Sequence, residues 1–216
     1  MTDLNAGQGR CQATARLLIK PVRAAIELGA AQDVLVSALR AVHHANRHGS
    51  VEDFIAVAFP SMRLGRDTML PGHELELIGS PASLSALVTL DGLMKLSRRG
   101  MIETADIGEI FVDVGTTACA YVRDRSSEKH TPGWIRRNKA RAERRGKPLG
   151  KDVAVKKHDP TLLTLRHGEA VLHIREVRGV YGGGPLTVST YGLSSASAPA
   201  ILPVLSDAAG EADDAA

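Results

Sequence analysis

Residues 15–22 read ARLLIKPV, an apolar run interrupted by Pro21, and they predict the first strand of the fold. In residues 32–47, apolar side chains recur at i, i+1, i+4, i+5 and i+8, which predicts an amphipathic helix. Farther along, FIAVAF at residues 54–59 and ELELI at 74–78 predict two strands. A second helical pattern follows at 83–96, and IGEIFVDV at 107–114 predicts a last strand.

The predicted order is strand, helix, strand, strand, helix, strand, which is the order of the ferredoxin-like plan. That plan, an antiparallel sheet with two helices on one face, recurs in RNA-recognition motifs (RRM). The three Phe and three Tyr of the chain are too few and too scattered for the paired aromatic platform of an ordinary RRM. We therefore expect an α+β protein with an N-terminal ferredoxin-like (RRM-like) domain that does not bind RNA mainly by stacking bases.

Positive charge is concentrated in one part of the chain. The whole chain has a formal charge of +3, yet residues 123–157 contain 13 Lys/Arg against 4 Asp/Glu, so the remainder is acidic. Such a block is typical of a polyanion site, because each neutralised phosphate releases condensed counterions. The alternative is a solvated, charged helix or a basic loop.

Within this block, PGWIRRNKARAERR at residues 132–145 predicts a helix with Pro132 in its first turn. On a helical wheel, four arginines fall within an arc of about 100°. They form one face of a helix about 20 Å long, and guanidinium groups so arranged match the phosphate ridge of an RNA duplex. The four are Arg137, Arg141, Arg144 and Arg145.

Composition divides the chain into four segments. Residues 1–14 are polar and weakly patterned, and residues 206–216 are small and acidic, so both are expected to be disordered tails. Residues 15–116 are expected to form the ferredoxin-like domain. Residues 117–205 are expected to form an RNA-recognition domain with the arginine-rich helix and a small antiparallel sheet.

The cysteine content and the hydropathy limit the cellular environments that we expect for the protein. Cys11 and Cys119 are the only cysteines, and the N-terminus does not read as a signal peptide, so we expect a reducing cytoplasm and no disulfide or zinc framework. No apolar stretch reaches the roughly 20 residues that span a bilayer, so no membrane association is expected. No metal or other cofactor is expected.

Several short motifs occur in an order that resembles the precursor-CRISPR-RNA endoribonucleases of type I-F systems. GPLTV at residues 184–188, followed by YGLS at 191–194, resembles the closing signature of that family. AFP at 58–60, followed by RLG at 63–65, resembles an upstream segment, and TLR at 164–166 resembles one of the family's strands. The resemblance extends from about residue 16 to residue 195.

The resemblance implies metal-independent cleavage of the repeat hairpin of precursor CRISPR RNA, by attack of a ribose 2′-hydroxyl on the adjacent phosphate. It also implies that the enzyme stays bound to its product. The expected partners are the repeat hairpin and other subunits of a CRISPR surveillance complex, and no contact with DNA is expected. Two alternatives are a non-catalytic scaffold that binds the hairpin and a general double-stranded-RNA-binding module.

The resemblance also implies a set of catalytic residues. The family has its catalytic histidine near the end of the first helix, where His43 fits and His44 is the alternative. Tyr191 matches an active-site tyrosine that orients this histidine. At the position of a serine that positions the attacking ribose, this chain has His167, which we interpret as a possible second proton-transfer group.

For base recognition the family uses an arginine and a glutamine two residues apart, ahead of its arginine helix. Arg123 and Arg125 have this spacing here, and an alignment without gaps selects Arg125 and Ser127 instead. Arginine pairs with the O6 and N7 atoms of guanine, so at least one guanine is expected at the base of the stem. The remaining expected RNA contacts are Lys129, Arg136, Arg137, Lys139, Arg141, Arg144 and Arg145.

Overall fold

The computed structural model describes residues 5, 7–128, 132–146, 159–167 and 170–204. Over these residues the chain is a mixed α+β protein with mainly antiparallel sheets. The helices are α1 (Arg23–Glu27), α2 (Ala31–His48), α3 (Pro81–Val88), α4 (Asp91–Arg98), α5 (Arg125–Glu128) and α6 (Pro132–Arg144). The strands are β1 (Gln8–Cys11), β2 (Ala15–Pro21), β3 (Ala56–Ala58), β4 (Arg63–Leu64), β5 (Met69–Leu70), β6 (Leu75–Gly79), β7 (Ile102–Thr104), β8 (Gly108–Glu109), β9 (Thr117–Arg123), β10 (Leu163–His167), β11 (Ala170–Val180) and β12 (Leu186–Ser189).

One sheet contains the three strands that the sequence predicted at residues 15–22, 54–59 and 74–78. Its order is β3, β6, β2, β7, and each neighbouring pair is antiparallel. β2 confirms the strand predicted at residues 15–22 and alternates between buried and half-buried residues. α2 confirms the first helix, and its buried face contains the apolar residues that the periodicity selected. Because α2 packs on α4, and α3 on β2 and β6, these helices and this sheet share a core.

A second sheet joins the two halves of the chain. Its order is β4, β5, β10, β11, β9, in which the long strand β11 pairs antiparallel with both β10 and β9. β4 and β5 come from the loop between β3 and β6, and β5 lies parallel to β10. The apolar residues of β10 and β11 belong to the same hydrophobic cluster as those of β2 and β6. The boundary at residues 116–117 stays a prediction, but strands and core are shared across it.

The predicted N-terminal tail is wrong over the part that the structure describes. Gln8–Cys11 forms β1, which pairs antiparallel with β12. Cys11 is fully buried, and Gly9 lies so close to the Phe54 ring that a Cβ on it would come within 2.6 Å of a ring carbon. The strand is held by its partner strand rather than by an apolar pattern of its own, so the sequence did not reveal it.

Two other elements differ from their predictions. The fourth strand of the first sheet is β7, and of the predicted segment 107–114 only Gly108–Glu109 pairs, with β2. Phe111, in that segment, is 87% exposed, so its alternating pattern does not mark a buried face. The helix predicted at 83–96 is divided into α3 and α4, because the backbone of Leu90 is extended, with φ −68° and ψ 139°.

The described ranges contain no helix that is both long enough and apolar enough to cross a lipid bilayer. The acidic segment 206–216, predicted to be a tail, lies outside the described residues.

Candidate functional site

His43 and Tyr191 lie against each other at the centre of the candidate site. His43 is in the last turns of α2, and Tyr191 follows β12. Their rings are stacked almost in parallel, with centroids 4.0 Å apart and an interplanar angle of 10°. Both side chains are half-buried, so the pair is held by packing while part of each ring stays accessible. The stacking fixes the orientation of the imidazole, and its Nδ1 atom is buried, so a ligand can approach only the exposed part of the ring.

Asn46, one helical turn after His43, ties α2 to the loop that carries Tyr191. Its side chain is 98% buried, since only 2% of the residue is exposed. Its Oδ1 accepts a hydrogen bond from the Ile55 N–H at 2.8 Å, and its Nδ2 donates to the carbonyl oxygens of Ile55 at 2.8 Å and Thr190 at 3.3 Å. Thr190, the residue before Tyr191, is therefore hydrogen-bonded to the helix that carries His43.

Gly192 holds the other side of the tyrosine loop against the first sheet. Its φ is +72°, and a Cβ there would come within 2.7 Å of Val57 Cγ2 and 2.8 Å of the Ile55 carbonyl oxygen. Its own carbonyl oxygen accepts a hydrogen bond from the Val57 N–H at 3.0 Å. Only glycine allows this close approach in a left-handed conformation, so the glycine after Tyr191 sets the position of the ring.

Arg123, at the end of β9, also contacts Tyr191. Its guanidinium carbon lies 5.3 Å from the centroid of the Tyr191 ring, within the range in which a cation is attracted to an aromatic face. The backbone N–H of Arg123 donates to the Ser194 carbonyl oxygen at 3.1 Å, and the Ser194 N–H donates to the Tyr121 carbonyl oxygen at 3.0 Å. A positive charge is thereby held beside the His43–Tyr191 stack.

Tyr121 anchors β9 beneath this site. Its hydroxyl donates a hydrogen bond to the Phe59 carbonyl oxygen at 2.9 Å, and its ring meets the Phe59 ring edge to face. Burial raises the pKa of the Tyr121 hydroxyl far above its usual range, so the hydroxyl acts as a structural donor and not as an acid.

The other two histidines predicted at the site differ in placement. His44 is exposed, and its ring lies 4.2 Å from that of His48, on a different part of α2 from the His43–Tyr191 contact. His167 ends β10, and its backbone is paired with Ala170. The position of its side chain lies outside the described part of the structure, so its role in proton transfer stays a prediction.

Asp124 organises the segment predicted to read bases. Its carboxylate accepts hydrogen bonds from the Ser126 N–H at 2.8 Å and hydroxyl at 2.6 Å, and from the Ser127 hydroxyl at 2.9 Å. Partial burial pushes the pKa of Asp124 upward, but these hydrogen bonds outweigh burial and hold the pKa at about 2. The Ser127 hydroxyl is therefore engaged with Asp124, whereas Arg125 is exposed at the start of α5.

An open groove with a volume of about 920 Å³ lies beside Arg123 and Arg125. Sequence reasoning did not single out several of the residues in its wall, because they come from β11 and from the loop after Tyr191. In addition to the two arginines, the wall includes Asp124, Ser126, Arg175, Val177, Ser189, Ser194, Ser195 and Ser197.

The predicted arginine helix is confirmed as α6. None of its residues is fully buried, and Trp134, Ile135, Asn138 and Ala142 are half-buried on one side. Lys129 lies outside the described residues. The exposed basic residues of this region are Arg136, Arg137, Lys139, Arg141, Arg144 and Arg145.

In the part of the chain that the structure describes, no group of three or more His, Cys, Asp or Glu side chains is arranged to hold a metal ion. The chain matches no protein-family model and none of the curated proteins with which it was compared. What the site does must therefore be inferred from its residues and their geometry.

Proposed function

We propose that this chain is a hairpin-specific endoribonuclease that cuts the repeat hairpin of precursor CRISPR RNA and remains bound to the product. The observation that carries the proposal is the contact of His43 and Arg123 with the same ring, that of Tyr191. These three residues are far apart in the sequence. The resemblance to type I-F processing endoribonucleases selected His43 and Tyr191 for the catalytic site and Arg123 for base recognition.

The arrangement of the first sheet supports the same family. If β2, β3, β6 and β7 are numbered 1 to 4 along the chain, their order across the sheet is 2-3-1-4. We propose that these strands, with α2 and the α3–α4 pair, form a ferredoxin-like unit. In such a unit His43 lies at the end of the first long helix, where the family has its catalytic histidine.

In the proposed reaction, His43 removes the proton from a ribose 2′-hydroxyl. The 2′-oxygen then forms a bond to the adjacent phosphorus, and the bond from phosphorus to the 5′-oxygen breaks. That oxygen takes up a proton from water, and His43 returns the proton that it removed to the solvent. The products are a 2′,3′-cyclic phosphate and a 5′-hydroxyl. Histidine suits this step because its ordinary pKa is near neutrality. Tyr191 fixes the plane of the imidazole, and the charge of Arg123 stabilises the phosphorane.

Binding of the hairpin is assigned to a separate surface. The exposed arginines of α6 form a continuous positive face of the length of several phosphates, and few of its side chains are used for packing. Guanidinium groups on such a face bind phosphate oxygens through paired hydrogen bonds. The helix therefore supplies affinity for the stem, and the His43–Tyr191 stack supplies the chemistry.

The test is cleavage of a CRISPR repeat RNA, taken from an array in the genome that encodes the chain, in buffer with EDTA. We expect one cut at the base of the hairpin and a cyclic phosphate on the product. His43→Ala should lower the single-turnover rate at least about 100-fold, the usual contribution of a general base, without loss of hairpin affinity. His44→Ala is the matched control, because His44 is exposed and does not contact Tyr191, and its rate should stay close to that of the wild type.

Three outcomes would contradict the proposal. Tight binding of the hairpin without cutting points to a non-catalytic scaffold. Equal binding to any duplex points to a general double-stranded-RNA-binding module. Cleavage that survives in His43→Ala but is lost in His44→Ala would show that His44, and not His43, carries out the reaction.

A further inference from the structure

The groove beside the catalytic stack is a candidate second RNA site. Its volume of about 920 Å³ lies near the upper end of the roughly 300–1,000 Å³ typical of ligand pockets. It is open along one side and is bounded by the end of β9, the start of α5, β11 and the loop of residues 194–199. A groove of this size admits a few unpaired nucleotides but not a duplex.

The wall of the groove suits a phosphate backbone. Arg123, Arg125 and Arg175 contribute three positive charges, and Asp124 contributes one negative charge. The Asp124 carboxylate is already occupied by hydrogen bonds from two serines, so its repulsion of an anion is reduced. Two serine hydroxyls of the wall already donate elsewhere, that of Ser126 to Asp124 and that of Ser194 to the Tyr121 carbonyl oxygen. Ser195 and Ser197 share one hydrogen bond between their hydroxyls, so one hydroxyl of this pair can still donate to a phosphate or ribose oxygen.

The same wall does not suit base stacking. None of the described residues that line the groove is aromatic. Single-stranded sites that bind through bases use aromatic platforms, whereas sites that follow the backbone use positive charge. The ligand class that fits is therefore an RNA strand bound through phosphate and sugar, with little preference for sequence.

Arg175 is the residue that distinguishes this groove from the other proposed contacts. It projects from β11, its side chain is 52% exposed, and its Nη2 lies 3.7 Å from a carboxylate oxygen of Asp124 and 3.7 Å from one of Asp159. Both separations exceed hydrogen-bond length and the Arg175 side chain is half exposed, so its guanidinium N–H groups can also pair with a phosphate. Neither α6 nor the catalytic histidine contributes to the groove wall.

Arg123 connects the groove to the reaction. It lines the groove and also contacts the Tyr191 ring, so a strand that leaves the scissile phosphate can enter the groove directly. We propose that this groove binds the unpaired strand on the 3′ side of the scissile phosphate, with Arg175 as a phosphate contact. This inference rests on the proposed function, because it requires a hairpin whose stem is bound elsewhere.

The test compares two RNAs on the full-length protein carrying His43→Ala, so that neither RNA is cut. One is the repeat hairpin that ends at its stem, and the other is the same hairpin with an unpaired 3′ flank. We expect the flank to strengthen binding and to steepen the salt dependence, because each phosphate contact on a single strand adds about 0.7 to the magnitude of the slope of log K against log salt.

Arg175→Gln should weaken binding of the flanked hairpin at least about fivefold, as expected for the loss of one charge-assisted contact. It should leave binding of the flank-free hairpin unchanged. Arg175→Lys keeps the charge and should retain part of the gain. Arg178→Gln is the matched control: Arg178 is on the same strand, 79% exposed, and outside the groove wall. It should change neither affinity.

The possible failures are distinguishable. If the wild-type protein neither binds nor cuts the hairpin, the proposed function fails. If it cuts the hairpin but the 3′ flank adds no affinity, or a 5′ flank alone does, only the groove assignment is overturned. Equal weakening of both RNAs by Arg175→Gln, or equal effects of Arg175→Gln and Arg178→Gln, also overturns it. Thermal unfolding of each variant verifies that it is folded.

Discussion

Asn46→Ala tests whether the buried amide holds the two halves of the candidate site together. The substitution removes three hydrogen bonds, two with the backbone of Ile55 and one with the carbonyl oxygen of Thr190. Ile55 is 1% exposed, so water cannot replace the lost partners without entering the core. The truncated side chain also leaves a small cavity between α2 and the tyrosine loop.

The magnitude follows from the groups left without partners. A buried N–H or C=O that loses its hydrogen bond costs about 1–3 kcal/mol, and Asn46→Ala affects the N–H and C=O of Ile55 together with the C=O of Thr190. Three such costs would add to about 3–9 kcal/mol, but single substitutions rarely cost more than about 5 kcal/mol, so we expect a loss of about 3–5 kcal/mol in the free energy of unfolding. Since a domain is stabilised by only about 5–15 kcal/mol in total, this is a large fraction.

Equilibrium unfolding in urea measures the loss. With an m-value of about 2 kcal/mol per molar urea, the midpoint should fall by about 1.5–2.5 M. Asn138→Ala is the control, because the Asn138 amide makes one half-buried hydrogen bond, to the Trp134 carbonyl oxygen within α6, and should cost less than about 1 kcal/mol. A loss below about 1 kcal/mol in Asn46→Ala would refute the reasoning.

Two further predictions concern charge. Replacing Arg137 and Arg141 together by Ala should weaken binding of the hairpin and lower the magnitude of the slope of log K against log salt by about 2, since we propose that each arginine contacts one phosphate. Filter binding across a salt series measures the slope, and an unchanged slope contradicts the assignment. The second concerns Asp124, whose pKa is lowered from 3.8 to about 2. A depressed carboxyl pKa stabilises the fold fully above pH 3.8 and loses that effect as the pH falls through about 2. The stability advantage of the wild type over Asp124→Ala should therefore shrink over that interval in urea unfolding, and a constant difference would speak against the hydrogen bonds as its cause.

Local patterns predicted the long elements of this protein well. α2 and α6 follow from apolar and basic periodicity, and β2 follows from an apolar run ended by a proline. Each of these elements has a face whose chemistry repeats at the period of its own backbone. The repeat is present in the sequence before any tertiary contact forms.

Elements held by their neighbours were predicted poorly. β1 has no apolar pattern and exists because β12 pairs with it. The segment at 107–114 has the alternation of a strand, but little of it has a partner, and the sheet uses Ile102–Thr104 instead. Pairing depends on which strand edges are available, and a single sequence does not contain that information.

For the site, the sequence by itself determined the types of residue and the basic helix. It left His43 and His44 both open, because the motif at the end of the helix selects His43, whereas a loop without an insertion before Phe59 and Pro60 selects His44. The tertiary structure places the two side chains differently, because the packing of α2 and the left-handed turn at Gly192 bring Tyr191 against His43 and leave His44 exposed. Arg175 and Asp124 joined the site in the same way, since only the folding of β11 beside β9 places them on one groove.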